Sequence, residues 1–309
     1  MRSRQQGVGH GGFPMRVLVT GGTGFIGSHL VEALLNRGHR PLTLSRRPMG
    51  LPGVEHHSLD VTGDQARRMA AEVEAIVHLA GLSNASASRQ EPLRYNHVNA
   101  LGTLNMLEGA RAGGARVIFA SSQRIYRPTL GPIPEDGLIQ PQDPYGYSKL
   151  CGEQWMEMYA RLYGVPTVTL RFFSVYGPGL VISSGASGIA GIFVGKALKG
   201  EPLVAHTDQS RDLTYVSDVA DGIILALEKP APAGSCYNVA TGVGTSMEKL
   251  AETVCRVTHS CSPIRVESGP GFGHLVADIS RARRDLGYSP QVGLEEGLER
   301  YVAWYRSCA

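Results

Sequence analysis

The sequence has few of the features that mark disulfide-rich, membrane or nucleic-acid-binding proteins. Its five cysteines are scattered and include no Cys-x-x-Cys pair, which argues against a disulfide framework or a zinc site and favours the reducing cytoplasm. No apolar run approaches the roughly 18 residues that span a bilayer. Lys and Arg number 30 against 27 Asp and Glu, and the net charge of +3 is too small to indicate a nucleic-acid-binding surface. We therefore expect neither a membrane nor a nucleic acid as a partner.

The length and composition are those of a folded globular chain. The 309 residues suffice for one large domain or two unequal ones, and 42% of them are apolar. Charged residues make up only 18%, which argues against disorder. Residues 1–14 contain arginine and glycine but no apolar stretch of the kind found in a signal peptide, so we expect a flexible leader there.

Short apolar strands alternate with helical patterns through the first half of the chain, and the rhythm loosens after Gly177. Strands that are apolar on both faces are typical of a parallel sheet covered by helices on both sides. We predict an α/β fold, with a doubly wound parallel sheet over residues 15–175. Residues 176–309 are predicted to form a smaller α/β region, mainly substrate-binding, with some of the chain returning to the sheet. The predicted strands are Arg16–Thr20, Pro41–Ser45, Val54–Leu59, Ala75–Ala80, Arg116–Ala120 and Thr167–Phe172, and the main helices are Ser28–Arg37, Val98–Ala112 and Tyr145–Tyr163.

Gly21, Gly24 and Gly27 lie between the first predicted strand and the first predicted helix. Glycine at these points lets the backbone approach a pyrophosphate, while the helix N-terminus offers N–H donors and a partial positive charge. A glycine pattern alone is a weak signal, but this one occurs in the first βαβ unit, where dinucleotide binding requires it. We therefore predict a dinucleotide site here, with a tight turn that binds nothing as the alternative.

The residues after the second predicted strand bear on which dinucleotide binds. Sites for NAD place an acid there, which accepts a hydrogen bond from the ribose 2′-hydroxyl. This chain has Ser45, Arg46 and Arg47 instead, and arginine can pair with a 2′-phosphate through two hydrogen bonds. The pattern favours NADP over NAD without excluding NAD, because these arginines are also typical of a solvated loop. Asp60 and Val61, after the third strand, are candidates for holding the adenine edge.

Tyr145 and Lys149 are four residues apart at the start of a predicted helix, so they share one face. A nearby ammonium stabilises a phenolate and lowers the pKa of the tyrosine towards working pH. Such a tyrosine can exchange a proton with an alcohol while a hydride moves to or from a nicotinamide. Ser122 lies at the end of the fifth strand, at the edge where the sites of parallel sheets gather, and its hydroxyl can orient the same oxygen. Together with the glycine turn, these residues predict a catalytic set.

Several stretches of the sequence form a recognisable combination. They are GGTGFIG at 21–27, HLAG at 78–81, Asn99, Ser121-Ser122, YGYSK at 145–149, RFFSVYGP at 171–178 and RDLTYV at 211–216. The combination resembles the extended short-chain dehydrogenases/reductases, and within them the nucleotide-sugar epimerase/dehydratase family. That resemblance implies a Rossmann domain, a C-terminal substrate domain, bound NAD or NADP, a nucleoside-diphosphate sugar as substrate and a homodimer.

The resemblance also implies roles for individual residues. Tyr145 is the expected acid/base, Lys149 lowers its pKa and holds the nicotinamide ribose, and Ser122 binds the reacting oxygen. Asn99 supports the lysine and counts among the cofactor contacts. The other expected cofactor contacts are Gly21, Gly24, Phe25, Ile26, Gly27, Ser45, Arg46, Arg47, Asp60, Val61, Leu79, Ala80, Gly81 and Phe172. The expected substrate contacts are Ser83, Ser122, Gln123, Arg124, Ser174 and Arg211. Because no His, Cys or Asp cluster has the spacing of metal ligands, no metal is expected.

Departures from the family pattern narrow the reaction. In the 4,6-dehydratases an Asp-Glu pair follows the serine or threonine and drives elimination of water, but here those positions hold Gln123 and Arg124. Glutamine has no acidic proton and arginine is always charged, so this elimination is disfavoured. Sugar-acid decarboxylases commonly carry Glu at the second position and are disfavoured less strongly. Arg124 would place a fixed positive charge near the substrate, facing a carboxylate or phosphate, unless it is an outward-facing salt-bridge residue.

The residues that would hold a sugar diphosphate depart from the pattern in part. Ser174 stands where asparagine is usual, and no second pyrophosphate-binding arginine is evident around Ser268–His274, whereas Arg211 is retained. Among the activities that share this chemistry, we expect a 4-epimerase. The alternative is an NADPH-dependent 4-ketoreductase of a sugar or deoxysugar nucleotide, which the arginines after the second strand favour. A non-catalytic dinucleotide-binding regulator is a more distant possibility, because fold does not decide function.

Overall fold

The computed structural model describes residues 14–48, 51–181, 188–268 and 273–308. Of the predicted leader, residues 1–13 lie outside the described residues and Pro14 is exposed. The described strands are β1 Arg16–Thr20, β2 Arg40–Ser45, β3 Glu55–Ser58, β4 Ala75–His78, β5 Arg116–Ser122, β6 Thr167–Phe172, β7 Ser174–Tyr176, β8 Leu203–His206, β9 Ser210–Tyr215, β10 Ser235–Val239, β11 Gly244–Ser246, β12 Ile264–Glu267 and β13 His274–Leu275. The described helices are α1 Phe25–Asn36, α2 Asp64–Ala70, α3 Ala85–Ser88, α4 Pro92–Tyr95, α5 Gly102–Gly113, α6 Pro144–Tyr163, α7 Gly188–Leu198, α8 Val216–Glu228, α9 Met247–Thr258, α10 Ser280–Leu286 and α11 Leu294–Cys308, with a π-helical turn at Asn96–Leu101 and a 3-10 turn at Gln123–Ile125.

A parallel sheet of seven strands in the order β10-β6-β5-β4-β1-β2-β3 forms the larger part of the structure. The chain builds this sheet outwards in both directions from β1, which is the arrangement of a doubly wound fold. Ligands of such sheets bind beyond the carboxyl ends of the strands, where the winding direction reverses between β1 and β4. The predicted fold class is therefore confirmed.

Apolar residues cover both faces of the large sheet. Val17 and Val19 face a core that contains α1 and α8, whereas Leu18 between them faces a core that contains α2, α5 and α6. All three side chains are fully buried. The alternation along β1 therefore fills two cores at once, which is why the strand is apolar at successive positions.

The C-terminal part of the chain contributes to two places in the structure. Strands β7, β9, β11 and β13 form a second sheet, and β8 pairs with β12. Strands β7, β8, β9 and β12 pack with α7, α9 and α11 around a third core, whereas Leu275 of β13 belongs to the first. Strand β10 instead pairs with β6 at the edge of the large sheet, and α8 covers that sheet beside α1. No helix in the described ranges has the length and apolar character needed to cross a membrane.

Candidate active site

The glycine turn after β1 has no room for side chains on its inner side. A Cβ at Gly21 would lie 2.9 Å from the backbone nitrogen of Ala80, and one at Gly27 would overlap the carbonyl oxygen of Gly21. Gly21 also has a φ of +71°, which favours glycine. Within α1 itself, no side chain caps the N-terminus and the first turn holds no acidic residue. Its leading N–H groups can therefore receive an anion, so these residues fit the pyrophosphate of a dinucleotide.

Phe25 and Ile26 begin α1, but their side chains pack against the third core. They are therefore placed to contact a pyrophosphate through their backbone N–H groups. Val61 and Phe172 are 5% and 6% exposed and belong to the cores on either side of the large sheet. Because the side chains of Val61 and Phe172 are held inside the protein, their predicted cofactor contacts are likewise limited to backbone atoms.

The end of β2 brings together the residues predicted to select the dinucleotide. The Ser45 hydroxyl lies 2.8 Å from the Thr23 hydroxyl and donates a hydrogen bond of 2.9 Å to the carbonyl of Arg47. Arg46 and Arg47 are both exposed. Thr23 was not predicted, although its place inside the glycine turn is a signal that could have indicated it.

Asp60 follows β3 on the same side of the sheet. Its Oδ1 accepts hydrogen bonds from the backbone nitrogen of Thr62 at 3.0 Å and from the Thr62 hydroxyl at 2.7 Å. The backbone bond from Thr62, and more weakly the charge of Arg46, lower the pKa of the Asp60 carboxyl. The carboxylate therefore supports its own turn, and its predicted contact with the adenine remains a prediction.

Leu79, Ala80 and Gly81 follow β4 and border the glycine turn. The backbone nitrogen of Ala80 donates to the Thr20 hydroxyl at 3.1 Å, which holds the two strand ends together. A Cβ at Gly81 would lie 2.9 Å from Asn99 Oδ1 and 3.5 Å from Lys149 Nζ. The missing side chain thus leaves space beside the predicted lysine. Ser83 lies exposed a little further along the same loop.

Two elements of the large-sheet region position the three predicted catalytic residues. Ser122 is the last residue of β5, and Tyr145 and Lys149 lie in the first turns of α6. The Ser122 hydroxyl lies close enough to the Tyr145 phenol to favour its ionised form as a hydrogen-bonding partner, which acts to lower its pKa. Ser122 Oγ also accepts a bond of 3.2 Å from the backbone N–H of Arg124, so its own proton is left to point at another oxygen. The pair can therefore hold the oxygen of an alcohol or ketone and move a proton to or from it.

The electrostatics of Tyr145 differ from the prediction. Burial raises the pKa of the Tyr145 phenol, while the hydrogen bond with Ser122 and the positive charge of Arg124 act in the opposite direction. Lys149 was expected to supply the lowering effect. In the structure the guanidinium of Arg124 is the cation with the largest lowering effect on the pKa of this phenol, a consequence of the turn after β5 that sequence spacing along α6 did not reveal.

Lys149 is held inside the protein beside the same strand. Its ammonium donates a 2.8 Å hydrogen bond to the carbonyl of Ala120 and lies 5.0 Å from the centre of the Phe119 ring. Burial lowers the pKa of Lys149 from its usual 10.5 to about 8, opposed by the negative charge of Glu153. The lysine can therefore lose or share a proton near neutral pH more readily than a surface lysine.

Asn99 supports the lysine-bearing helix through a neighbour. Its side-chain nitrogen donates to the Ser148 hydroxyl at 2.8 Å and to the carbonyl of Leu82 at 3.0 Å, and its Oδ1 accepts from the Leu82 backbone nitrogen at 2.7 Å. Asn99 lies in the π-helical turn, whose extra residue is the kind of irregularity found at functional sites. Ser148 was not predicted, although it directly precedes Lys149.

Of the remaining predicted substrate residues, Gln123 and Arg124 lie on the turn after β5, Ser174 on β7 and Arg211 on β9. Gln123 donates from Nε2 to the Ser174 hydroxyl at 3.1 Å, while its buried Oε1 has no partner among the described residues. Arg124 Nη1 lies 3.4 Å from Oδ2 of Asp143, the residue that caps α6. Asp143 was not predicted, but its place before Pro144 is a typical signal for the start of a helix.

Arg211 lies on β9, the central strand of the second sheet, where it is paired with β11 on one side and β13 on the other. Its Nη1 donates to the carbonyls of Ser210 at 2.7 Å and Gly273 at 2.6 Å. Burial, and then the charge of Arg124, lower the pKa of Arg211 to about 10. The two guanidinium groups therefore act on each other across the site, and together they provide a region of positive charge that fits an anionic substrate.

Asp212, the residue after Arg211, is fully buried. Its carboxylate accepts hydrogen bonds from the backbone nitrogens of Thr241 and Gly242, both at 2.8 Å, and from that of Ala277 at 3.3 Å. One carboxylate thus ties β9 to two distant loops. Sequence reasoning missed this role, because its partners are separated from Asp212 by up to 65 positions.

Comparison with known proteins agrees with this arrangement. The model of the NAD dependent epimerase/dehydratase family matches residues 17–240. The chain is 33% identical to the UDP-glucose 4-epimerase of Mycolicibacterium smegmatis over 95% of this chain and 99% of that protein. A UDP-glucose 4-epimerase from Thermus thermophilus, solved in complex with NAD, is 31% identical with a TM-score of 0.85 and covers 96% of this chain and 100% of its own. MoeE5, solved with UDP-glucuronic acid and NAD, is 30% identical with a TM-score of 0.87 and covers 95% of this chain and 100% of its own.

Proposed function

Because this chain belongs to the NAD dependent epimerase/dehydratase family, we propose that it is a nucleotide-sugar 4-epimerase. One observation carries the proposal: Ser122 ends β5 with the phenol of Tyr145 on α6 beside it, and β5 belongs to the same sheet whose β1 leads into the glycine turn. An alcohol oxygen held by this pair would face the nicotinamide end of a dinucleotide bound at the turn. Relatives that act on UDP-glucose and structures that hold NAD support this choice of substrate class and cofactor.

The proposed binding residues lie at two ends of the site, one for the dinucleotide and one for the sugar nucleotide. The N–H groups at the start of α1 would hold the pyrophosphate of the dinucleotide, and Lys149 and Asn99 would lie beside its nicotinamide ribose. Arg211 would hold the diphosphate of the sugar nucleotide. When bound, the dinucleotide supplies the acceptor and donor of a hydride at the sugar carbon.

Proton transfer in this proposal belongs to Tyr145. Ser122 and Arg124 act against the effect of burial on the pKa of Tyr145 and so favour its ionised form. The oxygen of this phenolate removes the proton of the sugar C4 hydroxyl, while the Ser122 proton holds the same hydroxyl oxygen in place. Loss of hydride from C4 then leaves a 4-keto sugar. After this sugar turns over, hydride returns to the other face and Tyr145 gives back the proton, so the reaction has no net redox change.

The alternative is a 4-ketoreductase that consumes NADPH, and the exposed Arg46 and Arg47 favour it. A stoichiometric experiment separates the two. The enzyme is mixed with UDP-glucose or UDP-glucuronic acid and catalytic NAD, and the products are separated to detect the C4 epimer. In parallel, 4-keto sugar nucleotide and NADPH are supplied while the absorbance of the reduced cofactor is followed. Formation of the epimer without net cofactor consumption supports the epimerase, whereas loss of NADPH equal to substrate consumed overturns it.

A second copy of the chain is proposed as the partner of the outer face of α6. Tyr147, Leu162 and Tyr163 on this helix are exposed, as is Leu101 before α5. A groove of about 560 Å³ beside Tyr147 is lined by residues of α4, the π-helical turn and the first half of α6. Exposed apolar side chains on neighbouring helices are typical of a helix-to-helix interface.

The dimer can be tested by sedimentation in solution. Leu162→Glu should convert the dimer to a monomer, whereas Leu138→Glu, at an equally exposed leucine in a loop, should not. A monomeric wild type would contradict the proposal. We also place the enzyme in the cytoplasm, which the five free thiols, all in the described part of the chain, support.

A further inference from the structure

His78 is the last residue of β4 and begins the HLAG stretch. Its side chain is fully buried, so its two ring nitrogens can only be satisfied from inside the protein. Nδ1 lies 2.7 Å from the hydroxyl oxygen of Thr20 on β1, and Nε2 lies 3.2 Å from that of Thr103 on α5. The imidazole therefore links the strand before the glycine turn to a helix behind the sheet.

The neighbouring hydrogen bonds determine which ring nitrogen of His78 carries the hydrogen. A hydroxyl has one proton, and that of Thr103 is donated to the carbonyl of Asn99 at 2.7 Å. Thr103 must therefore accept from Nε2–H of His78. Nδ1 is then a bare acceptor for the proton of Thr20, whose oxygen accepts from the backbone nitrogen of Ala80 at 3.1 Å. Every polar atom of this chain has a partner in one direction only.

The imidazole stays uncharged beside the predicted lysine. Burial, and then the positive charge of Lys149, lower the pKa of His78 to about 3. Its ring stacks on Phe119 with the two centres 5.8 Å apart, and the ammonium of Lys149 lies 5.0 Å from the centre of that same phenylalanine. A neutral histidine can hold its two hydroxyl partners here without placing a second charge near the ammonium.

The hydrogen bonds continue from His78 to both ends of the dinucleotide site. At one end, Thr20 directly precedes Gly21 of the glycine turn. At the other end, the Asn99 side chain donates to the Ser148 hydroxyl at 2.8 Å, and Ser148 donates to the carbonyl of Tyr145 at 2.7 Å. The chain of bonds through His78 thus reaches from the glycine turn to the first turn of α6.

We propose that His78 is a positioning residue that, as the Nε2–H imidazole, sets the distance between the glycine turn and the residues beside the nicotinamide ribose. The placement of Lys149 and Asn99 beside that ribose comes from the proposed function, on which this step rests. A dinucleotide must fit both ends at once, so its affinity depends on their separation. ADP ends at the diphosphate and uses only the glycine-turn end.

Calorimetric titration of NAD and ADP into the cofactor-free protein tests this role by binding alone. His78→Phe keeps a ring beside Phe119 but loses both hydrogen bonds, and Thr103→Val loses one of them. Each should weaken NAD binding by about tenfold and ADP binding by less than about twofold. The double variant should bind NAD no more weakly than the weaker single variant, because one break already separates the two ends.

Two further variants distinguish positioning from general stability. His78→Gln, whose amide N–H can take the place of Nε2–H, should recover part of the lost NAD affinity. Thr253→Val is the matched control, since Thr253 is a buried helical threonine whose hydroxyl donates to a carbonyl four residues earlier, that of Lys249, at 2.8 Å. It should change neither affinity.

Nitrogen NMR of the His78 ring, assigned by the signals missing from His78→Phe, should show the hydrogen on Nε2 at neutral pH. A hydrogen on Nδ1, or a charged ring, would overturn the proposal. Equal losses of NAD and ADP affinity, no loss of NAD affinity, or losses that multiply in the double variant would do the same. Melting temperatures report whether each variant folds; should His78→Phe not fold, the comparison of NAD with ADP in Thr103→Val decides.

None of these measurements uses turnover. If the binding pattern holds but no C4 epimer forms from a sugar nucleotide, the epimerase proposal fails while the positioning role of His78 stands.

Discussion

Asp143 accepts a 2.8 Å hydrogen bond from the backbone nitrogen of Gly146 and so caps the helix that carries Tyr145 and Lys149. The same carboxylate pairs with Arg124. One buried acid therefore fixes the start of the catalytic helix and a cation at the mouth of the site. Because asparagine caps helices about as well as aspartate, the two roles of Asp143 can be separated by substitution.

We expect Asp143→Ala to lower the free energy of unfolding by about 1–2 kcal/mol, because the cap is lost. Asp143→Asn should cost only a fraction of that, since it keeps the acceptor while removing the charge. Urea unfolding of both variants measures the difference. Equal destabilisation would show that the ion pair with Arg124, and not the cap, is what matters at this position.

Tyr145→Phe should reduce turnover by about a hundredfold or more, because the proton of the sugar hydroxyl loses its acceptor. The dinucleotide should still bind with nearly unchanged affinity, since the glycine turn is untouched. Steady-state rates and titration of NAD provide the two measurements. Activity that persists in this variant would remove Tyr145 from the mechanism.

Lys149 should make stability depend on pH in a defined direction. Its pKa is about 8 in the folded chain and 10.5 when exposed, so between these values the unfolded state binds more protons. The contribution of Lys149 to the free energy of unfolding therefore rises with pH across that window. Below the window the lysine is charged in the folded state as well, so the full cost of burying its charge is present. Relative to Lys149→Met, the cofactor-free wild type should gain about 1 kcal/mol between about pH 7 and about pH 9. If the difference in free energy of unfolding between the wild type and Lys149→Met is the same at both pH values, the lowered pKa of Lys149 is contradicted.

Gly27→Ala should be destabilising and should abolish dinucleotide binding. Alanine normally favours a helix by about 1 kcal/mol over glycine, but here its Cβ would overlap the carbonyl oxygen of Gly21. Gly131→Ala is the matched control, because no atom lies within 4 Å of a Cβ there. Thermal melting with and without NAD compares the two variants. If Gly27→Ala melts and binds NAD like the control, the overlap of a Cβ at position 27 with the carbonyl oxygen of Gly21 is contradicted.

The exposed arginines after β2 should let the chain accept NADP as well as NAD. We expect the wild type to bind both dinucleotides, and the double variant Arg46→Gln, Arg47→Gln to lose about tenfold in NADP affinity with little change for NAD. Titration of each dinucleotide into both proteins provides the comparison. A wild type that prefers NAD, with no effect of the double substitution, would assign these arginines to the solvated loop.

Local patterns predicted much of this structure. Strands β1, β2, β4, β5 and β6 lie within about two residues of their predicted bounds, because each is a short apolar run that must be buried on both faces. Strand β10 and helix α2 were not predicted as elements. Strand β10 is polar at its start and is a strand only because β6 offers it an unpaired edge. The residues of β6 lie 63 or more positions earlier in the chain, so no local pattern indicates the pairing.

The sequence by itself determined the doubly wound sheet, the glycine turn and the placement of Ser122, Tyr145 and Lys149, since each depends on neighbours a few positions apart and on the rule that parallel strands end at one edge. Only the tertiary structure decided that Arg124 acts on the phenol, that Asn99 reaches the helix through Ser148, and that Asp212 joins three segments. Charge interactions and hydrogen bonds depend on distance in space and on burial, and neither quantity is encoded by spacing along the chain.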